Sequence, residues 1–186
     1  MTTTTSQILK ELRRDHSNVM LLLDMLEVEA GRLASLEEPD YQLMDDIMRY
    51  LTSYADTVHH PKEDRIYRQL QAVQPQQAAS LSQIAEDHAE IARFGVELRS
   101  DIEAIVSEAI VRRDTVARDA QNYVEKLRIH ITWEEQEMFR MIEELQSELD
   151  QRALMADKSE WADPLFGDEV EEDFKRLFAS IQQAIN

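Results

Sequence analysis

The stretch Val58-His59-His60-Pro61-Lys62-Glu63-Asp64 has a counterpart 71 residues on, Ile129-His130-Ile131-Thr132-Trp133-Glu134-Glu135. A second stretch, Asp15-His16-Ser17-Asn18-Val19, recurs 72 residues on as Asp87-His88-Ala89-Glu90-Ile91. The four histidines His16, His59, His88 and His130 each fall on an apolar stripe of helical period. In the first segment, from about Ser6 to Leu33, the stripe is Leu12, His16, Val19, Leu23, Leu26, Ala30 and Leu33, a 4-3 alternation that keeps one helix face apolar. Asp40 to Val73 carries Met44, Ile47, Leu51, Ala55, His59, Glu63, Ile66 and Leu70. Gln77 to Ile105 carries Leu81, Ile84, His88, Ile91, Gly95, Leu98, Ile102 and Ile105. A fourth segment, starting between Ser107 and Asp114, carries Val116, Ala120, Tyr123, Leu127, His130, Glu134, Met138, Met141 and Leu145. Four long helices on short connections predict an all-α, antiparallel up-down-up-down four-helix bundle.

Composition agrees. The 186 residues include only 3 Gly and 4 Pro, too few turn formers for a hairpin-rich β fold. With 38 acidic against 20 basic side chains the formal charge is -18, which opposes binding to a phosphate backbone and excludes nucleic acid as the expected partner. No Cys is present, which excludes a thiolate nucleophile, a zinc finger, a Cys-ligated iron–sulfur cluster and a disulfide scaffold. No run approaches the ~20 apolar residues of a membrane span, and Met1-Thr-Thr-Thr-Thr-Ser-Gln leads into charged residues with no apolar signal core. The expected location is cytoplasmic.

On a helix, residues i and i+4 share a face one turn apart, so His59 and Glu63 point together, as do His130 and Glu134. An inward glutamate is expensive to bury unless paired, and the inward stripes contain neither Lys nor Arg. A metal cation balances two inward carboxylates and accepts neutral imidazoles. Two similar helix pairs placed face to face bring together His16, His59, Glu63, His88, His130 and Glu134, a set suited to two metal ions with each glutamate able to bridge. Mixed nitrogen and oxygen donors suit iron first, manganese or zinc next, and calcium least.

On these motifs the sequence resembles the hemerythrin-like (HHE cation-binding) proteins over essentially its whole length. The segment His59-His60-Pro61-Lys62-Glu63-Asp64 is similar to that family's second-helix motif, and Asp163-Pro-Leu-Phe-Gly167 to the tail of its bacterial single-domain members. The resemblance implies that His16, His59, Glu63, His88, His130 and Glu134 are diiron ligands, with Glu63 and Glu134 bridging. It implies a non-haem diiron protein that binds a small diatomic ligand, oxygen or nitric oxide, or senses iron and redox state. Oxygen-carrying members have a second His four residues after the first on the third helix, where this chain has Ala92. Their fourth helix uses His-x-x-x-x-Asp, whereas His130 is followed by Glu134 and Glu135. These departures lower the case for a simple oxygen carrier and are similar to the ligand set of iron–sulfur-cluster repair proteins, without their Cys-bearing segment. An oxidoreductase or iron donor for cluster repair is therefore one alternative, and a metal-storage or structural module another. No nucleophile or acid–base dyad is visible. The Glu-x-x-His order of ferritin-type bundles is absent.

Pro61 threatens the second helix, since a mid-helix proline removes a hydrogen bond and clashes with the carbonyl of residue 57, at a cost of ~3 kcal/mol or more; a tolerated kink is expected. His60 points ~100° away from His59 and reads as a surface or outer residue rather than a ligand. Asp15 and Asp87 read as solvated on the helix surface, with a hydrogen bond to a ligand imidazole as the alternative. Gly95 serves close packing or opens a channel, Trp133 and Tyr123 read as core aromatics, and Met as core filler. Thr5 or Ser6 is the expected cap of the first helix and Asp168 that of a last short helix bearing Val170, Phe174, Leu177 and Ile181. Residues 1–152 are expected to form the bundle, with 153–186, beginning around a compact turn Trp161–Gly167, packed on it in the same domain.

Overall fold

A computed structural model of the chain describes residues 4–35, 37–149 and 162–185. The first arm is α1 (Thr4–Ala34). The second, 41–73, runs through α2 (Tyr41–Tyr50), a π-helical stretch (Leu51–His59) and α3 (His60–Val73). After a short 3₁₀ turn comes the third arm, α4 (Ala78–Val106). The fourth, 113–145, consists of α5 (Arg113–Trp133), a second π stretch (Glu134–Met138) and α6 (Phe139–Leu145). A final helix, α7, covers Lys175–Ile185. No strand occurs among the described residues.

Contacts between arm ends fix their directions. Arg113, opening the fourth arm, donates to the Leu33 carbonyl at the end of the first (3.0 Å), and Arg13 pairs with Glu143 at the opposite end (2.8 Å). Gln71 reaches Ser82 (3.1 Å) and Arg99 reaches Thr52 (3.5 Å), so the second and third arms also run antiparallel. Glu29, near the end of the first arm, accepts from the Asp40 N–H that leads into the second (2.8 Å), and Asp15, nearer its start, meets Lys62 (3.4 Å), so these arms are antiparallel too and the bundle runs up-down-up-down.

The apolar stripes fill two separate clusters. One holds Val19, Leu23, Leu51, Ile91, Leu98, Tyr123 and Leu127; the other holds Leu12, Ile66, Leu70, Leu81, Ile84, Met138 and Phe139. Every arm crosses from one cluster to the other at its histidine: His16 lies between Leu12 and Val19, and His88 between Ile84 and Ile91. The histidines and glutamates thus form a polar layer sandwiched between two dry cores.

Both π stretches sit at this layer. In the second arm the His60 N–H donates to the Ala55 carbonyl, five residues back. Thr52, Ser53 and Thr57 hydroxyls bond carbonyls one turn earlier, a pattern that bends helices. Pro61 then falls in the first turn of α3, where a missing N–H costs little. The helix does not break there: His59 and His60 both keep helical dihedral angles through the join. In the fourth arm the Phe139 N–H donates to the Glu134 carbonyl, and the extra residue slips the stripe. Ile142 and Leu149 are buried, whereas the expected Met141 and Leu145 are only half-buried.

Three expected end signals are corrected. Thr5 and Ser6 lie inside α1, which already includes Thr4, so neither caps it. Asp168 is exposed and the last helix starts later, in a 3₁₀ turn at Glu172–Phe174. Asp163 organises the turn instead: its Oδ1 accepts from the Leu165 and Phe166 N–H groups (2.9 Å each) and its Oδ2 from the Tyr50 hydroxyl (3.0 Å). Gly167 is required there, because an added Cβ would stand 2.3 Å from the Asp163 carbonyl oxygen. Phe174, Leu177 and Ile181 are buried in the first core and Arg176 pairs with Asp46, so α7 docks on the bundle. Trp161 and the boundary at Arg152 lie outside the described residues.

Candidate metal centre

All six residues singled out by the repeat are buried and meet in the polar layer; Glu63 and Glu134 are 0% exposed. Glu63 Oε1 lies 3.3 Å from His16 Nε2 and 3.4 Å from His59 Nε2, while its Oε2 lies 3.7 Å from His88 Nε2. Glu134 is arranged the other way round. Its Oε1 faces His88 Nε2 (3.4 Å) and His130 Nε2 (3.3 Å), and its Oε2 faces His16 Nε2 (3.5 Å). Each carboxylate therefore spreads its two oxygens between two imidazole groups.

The outer edges of the rings select the tautomer. His16 Nδ1 donates to Glu135 Oε1 (3.1 Å), His88 Nδ1 to Asp64 Oδ1 (3.0 Å) and His59 Nδ1 to Asp15 Oδ2 (3.4 Å). An ionised carboxylate only accepts, so Nδ1 carries a proton in each, and Nε2 is the nitrogen that faces inward and is left for a metal. That is the orientation metal-ligating histidines adopt. Asp64 and Glu135 occupy equivalent places in the repeat, each supporting the first-helix His of the other half. The acid that follows each His-x-x-x-Glu was the sequence signal for them.

The electrostatics describe a site short of positive charge. Burial disfavours a charged ring at His16, yet bonds to Glu134, Glu135 and Glu63 outweigh it and hold this imidazole well above its usual range. His88, likewise against burial, is pushed up to about 10 by Asp64, Glu134 and Glu63. Burial works to raise Glu134, but His130, His16 and His88 keep it well below the carboxylate range. Both Glu63 oxygens, Glu134 Oε2 and His16 Nε2 are buried without a hydrogen-bond partner. Buried polar atoms normally have one. Donors sharing one ion at ~2.1 Å stand ~3–4 Å apart, and the inward distances fall in that range. Three groups of donors lie within 4.8 Å of one another: His16, His59 and Glu63; Glu63, His88 and Glu134; and His60, His88 and His130. The residues present fit metal ions.

Several neighbours differ from expectation. His60 is buried rather than on the surface, its ring stacked on His88 at 4.2 Å. The second arm lies between the first and third, and the consecutive His59 and His60 face one neighbour each. Asp15 is 1% exposed, not solvated; it accepts from Tyr54 (3.1 Å), His59 and Lys62 (3.4 Å). Lys62 is thus a buried cation, which the stripes missed because it sits off their line and reaches across. Tyr67, also unforeseen, donates to Glu134 Oε1 at 2.6 Å. Asp87 is half-buried and bonds Gln83. Gly95 serves close packing: a Cβ would lie 3.1 Å from the Tyr123 ring and 3.2 Å from Thr52. Tyr123 is core, but Trp133 is 37% exposed, beside a cleft that reaches His130.

Fold and site together define a helical bundle built around a buried His/Glu layer of the kind that holds metal ions. More narrowly, the chain belongs to the family of the Hemerythrin HHE cation binding domain, whose family model matches residues 7–142, all of the four arms but three residues at either end. No curated protein and no solved structure matches the chain significantly. No helix among the described residues is long and apolar enough to cross a membrane.

Proposed function

We propose that the polar layer holds two iron ions and that the protein binds or senses oxygen, nitric oxide or the iron and redox state through them. One ion would be held by His16 and His59, the other by His88 and His130, with Glu63 and Glu134 shared. The observation that carries this reading is the crossed arrangement of Glu63 and Glu134, two fully buried carboxylates whose inward oxygens face imidazoles on both sides. When bound, such an iron pair supplies one-electron redox change and an open position for a diatomic ligand. The chain's own groups do the rest. Glu63 and Glu134 offset charge, Asp15, Asp64 and Glu135 hold the Nδ1 protons, and the flanking cores exclude bulk water. A cleft lined by Ile84, Ile91, Ile129 and Trp133, with Asp87 and Lys126 at its edge, leads toward His130, and a more polar one lined by Met20, Ile131, Asp24 and Glu135 leads toward His16; these offer approaches for a small uncharged ligand. The reading carries with it a cytoplasmic location and residues 1–152 as the bundle, with 153–186 as its packed extension.

The test is anaerobic reconstitution of metal-depleted protein with ferrous iron, followed by optical spectra before and after oxygen and nitric oxide. Two ions per chain and a new visible band are expected. Uptake of less than one ion overturns the reading, and two ions with no spectral response would favour a storage or structural role.

A further inference from the structure

Tyr50 and Tyr54 are buried in the second arm with their rings stacked at 5.4 Å, 22° between planes. Each phenol donates to a buried carboxylate, Tyr54 to Asp15 Oδ2 (3.1 Å) and Tyr50 to Asp163 Oδ2 (3.0 Å). Asp15 Oδ2 also accepts from His59 Nδ1 (3.4 Å), so one end of this chain of contacts is a ring of the candidate metal centre. The other end is the turn at Asp163–Gly167, beside an open cleft bordered by Arg14, Asp163 and Phe166. We propose that Tyr54 and Tyr50 form an electron relay that carries single electrons from this cleft to the metal pair when a peroxide is reduced there.

This rests on the two-metal reading above. A pair already in the ferric state has no easily lost electron left, so a peroxide that meets it draws electrons from the chain. A buried phenol gives up an electron only if its proton leaves too, because the phenoxyl cation would be an unpaired buried charge. Both phenols have the base in place. Tyr54 passes an electron to the pair and its proton to Asp15. Tyr50 then passes an electron to the Tyr54 radical and its own proton to Asp163, while Asp15 returns its proton to Tyr54. A one-electron donor in the cleft restores Tyr50, and Asp163 gives the proton back. The phenolic protons only shuttle; each peroxide consumes two donor electrons and two solvent protons and leaves as two waters.

Local winding makes the first link. In an α-helix Tyr54 and His59, five residues apart, would point ~140° from each other. The slower winding of the π stretch Leu51–His59 turns both to the same oxygen of Asp15. Lys62 Nζ, 3.4 Å from that oxygen and from the Tyr54 hydroxyl, keeps the carboxylate ionised. In the other half of the repeat the equivalents of Tyr50 and Tyr54 are Gln121 and Glu125, both exposed. Tyr67 is also close to the centre but cannot relay. Its acceptor, Glu134, is a metal ligand in the reading above and no free base, and the ring beside it is that of His88 rather than a second phenol.

The experiment mixes the iron-loaded, air-oxidised full chain with limiting hydrogen peroxide and freezes it at intervals from milliseconds to seconds for electron paramagnetic resonance. Wild type should give an organic radical signal that narrows when the chain carries ring-deuterated tyrosine, a result that needs no variant. Counted per bound iron, the signal should be lost in Tyr54→Phe. Tyr50→Phe should keep a radical on Tyr54, and its decay on adding hydroquinone, an uncharged one-electron donor, should be slower than in wild type. Three results overturn the relay: no tyrosine signal at any interval from protein holding two irons, a signal that survives Tyr54→Phe, or a hydroquinone decay unchanged in Tyr50→Phe. Each of these leaves the two-metal reading standing, whereas a chain that takes up no iron refutes both.

Discussion

Replacing Tyr67 by Phe removes one oxygen from the interior and nothing else. The Tyr67 hydroxyl donates to Glu134 Oε1 at 2.6 Å, both residues are buried, and burial together with Glu134 keeps the phenol protonated. The bond is charge-assisted and shielded from water, which places it at about 1.5–3 kcal/mol. For a chain of this size each kcal/mol moves the melting temperature by ~2–4 °C, so metal-free Tyr67→Phe should melt ~3–12 °C below wild type. If Glu134 is a ligand, losing its support should also weaken metal binding by ~10–100-fold. Thermal unfolding in chelator gives the first quantity and competitive metal titration the second. Unchanged stability would mean that Glu134 is not ionised against Tyr67. A stability loss with full metal affinity would mean that Glu134 does not hold a metal.

Other perturbations separate the remaining parts. Glu63→Gln keeps the shape and removes the charge; wild type should be stabilised by ~2.7 kcal/mol per ion at a hundredfold excess over Kd, and the variant should lose most of that gain in a thermal-shift titration. Metal-free protein should lose stability as pH rises from 6.5 toward about 10, because the charged form of His88 is favoured only in the folded state. Loss on the acid side should come from Glu134, whose lowered value makes its contribution vanish as pH falls. Chelated protein followed by denaturant titration across that range checks both limbs. Two glycines give opposite signs: Gly31, with nothing within 4 Å of an added Cβ, should gain up to ~1 kcal/mol as Ala. Gly167→Ala drives a Cβ into the Asp163 carbonyl and should cost ~1–3 kcal/mol, read as a lower melting temperature.

Residues on the regular stripes were legible because α-helical period and burial are the same statement made twice. The stripe from Leu12 to Leu33 follows a 4-3 alternation and is buried throughout, and that from Met44 to Leu70, with a run of fours across the π stretch, is buried as well. The six inward His and Glu residues were found for the same reason. Both π stretches fall at the polar layer, and in the fourth arm the period slips where the helix changes type. Beyond Glu134 the slip moved burial from Met141 to Ile142. Lys62 and Tyr67 escaped notice, and Asp15 was placed in solvent, because their role is to reach across to another arm, which no single-helix pattern encodes. The surface placement of His60 failed because the bundle interior was treated as one direction. An arm between two neighbours has two inward sides, and consecutive residues serve both.

The most direct measurement is an anomalous difference map collected at the iron edge from crystals of iron-loaded protein. The account predicts two peaks per chain in the polar layer, each in contact with one oxygen of Glu63 and one of Glu134, with His16 and His59 on one peak and His88 and His130 on the other. A single peak, or none between the two glutamates, would contradict it.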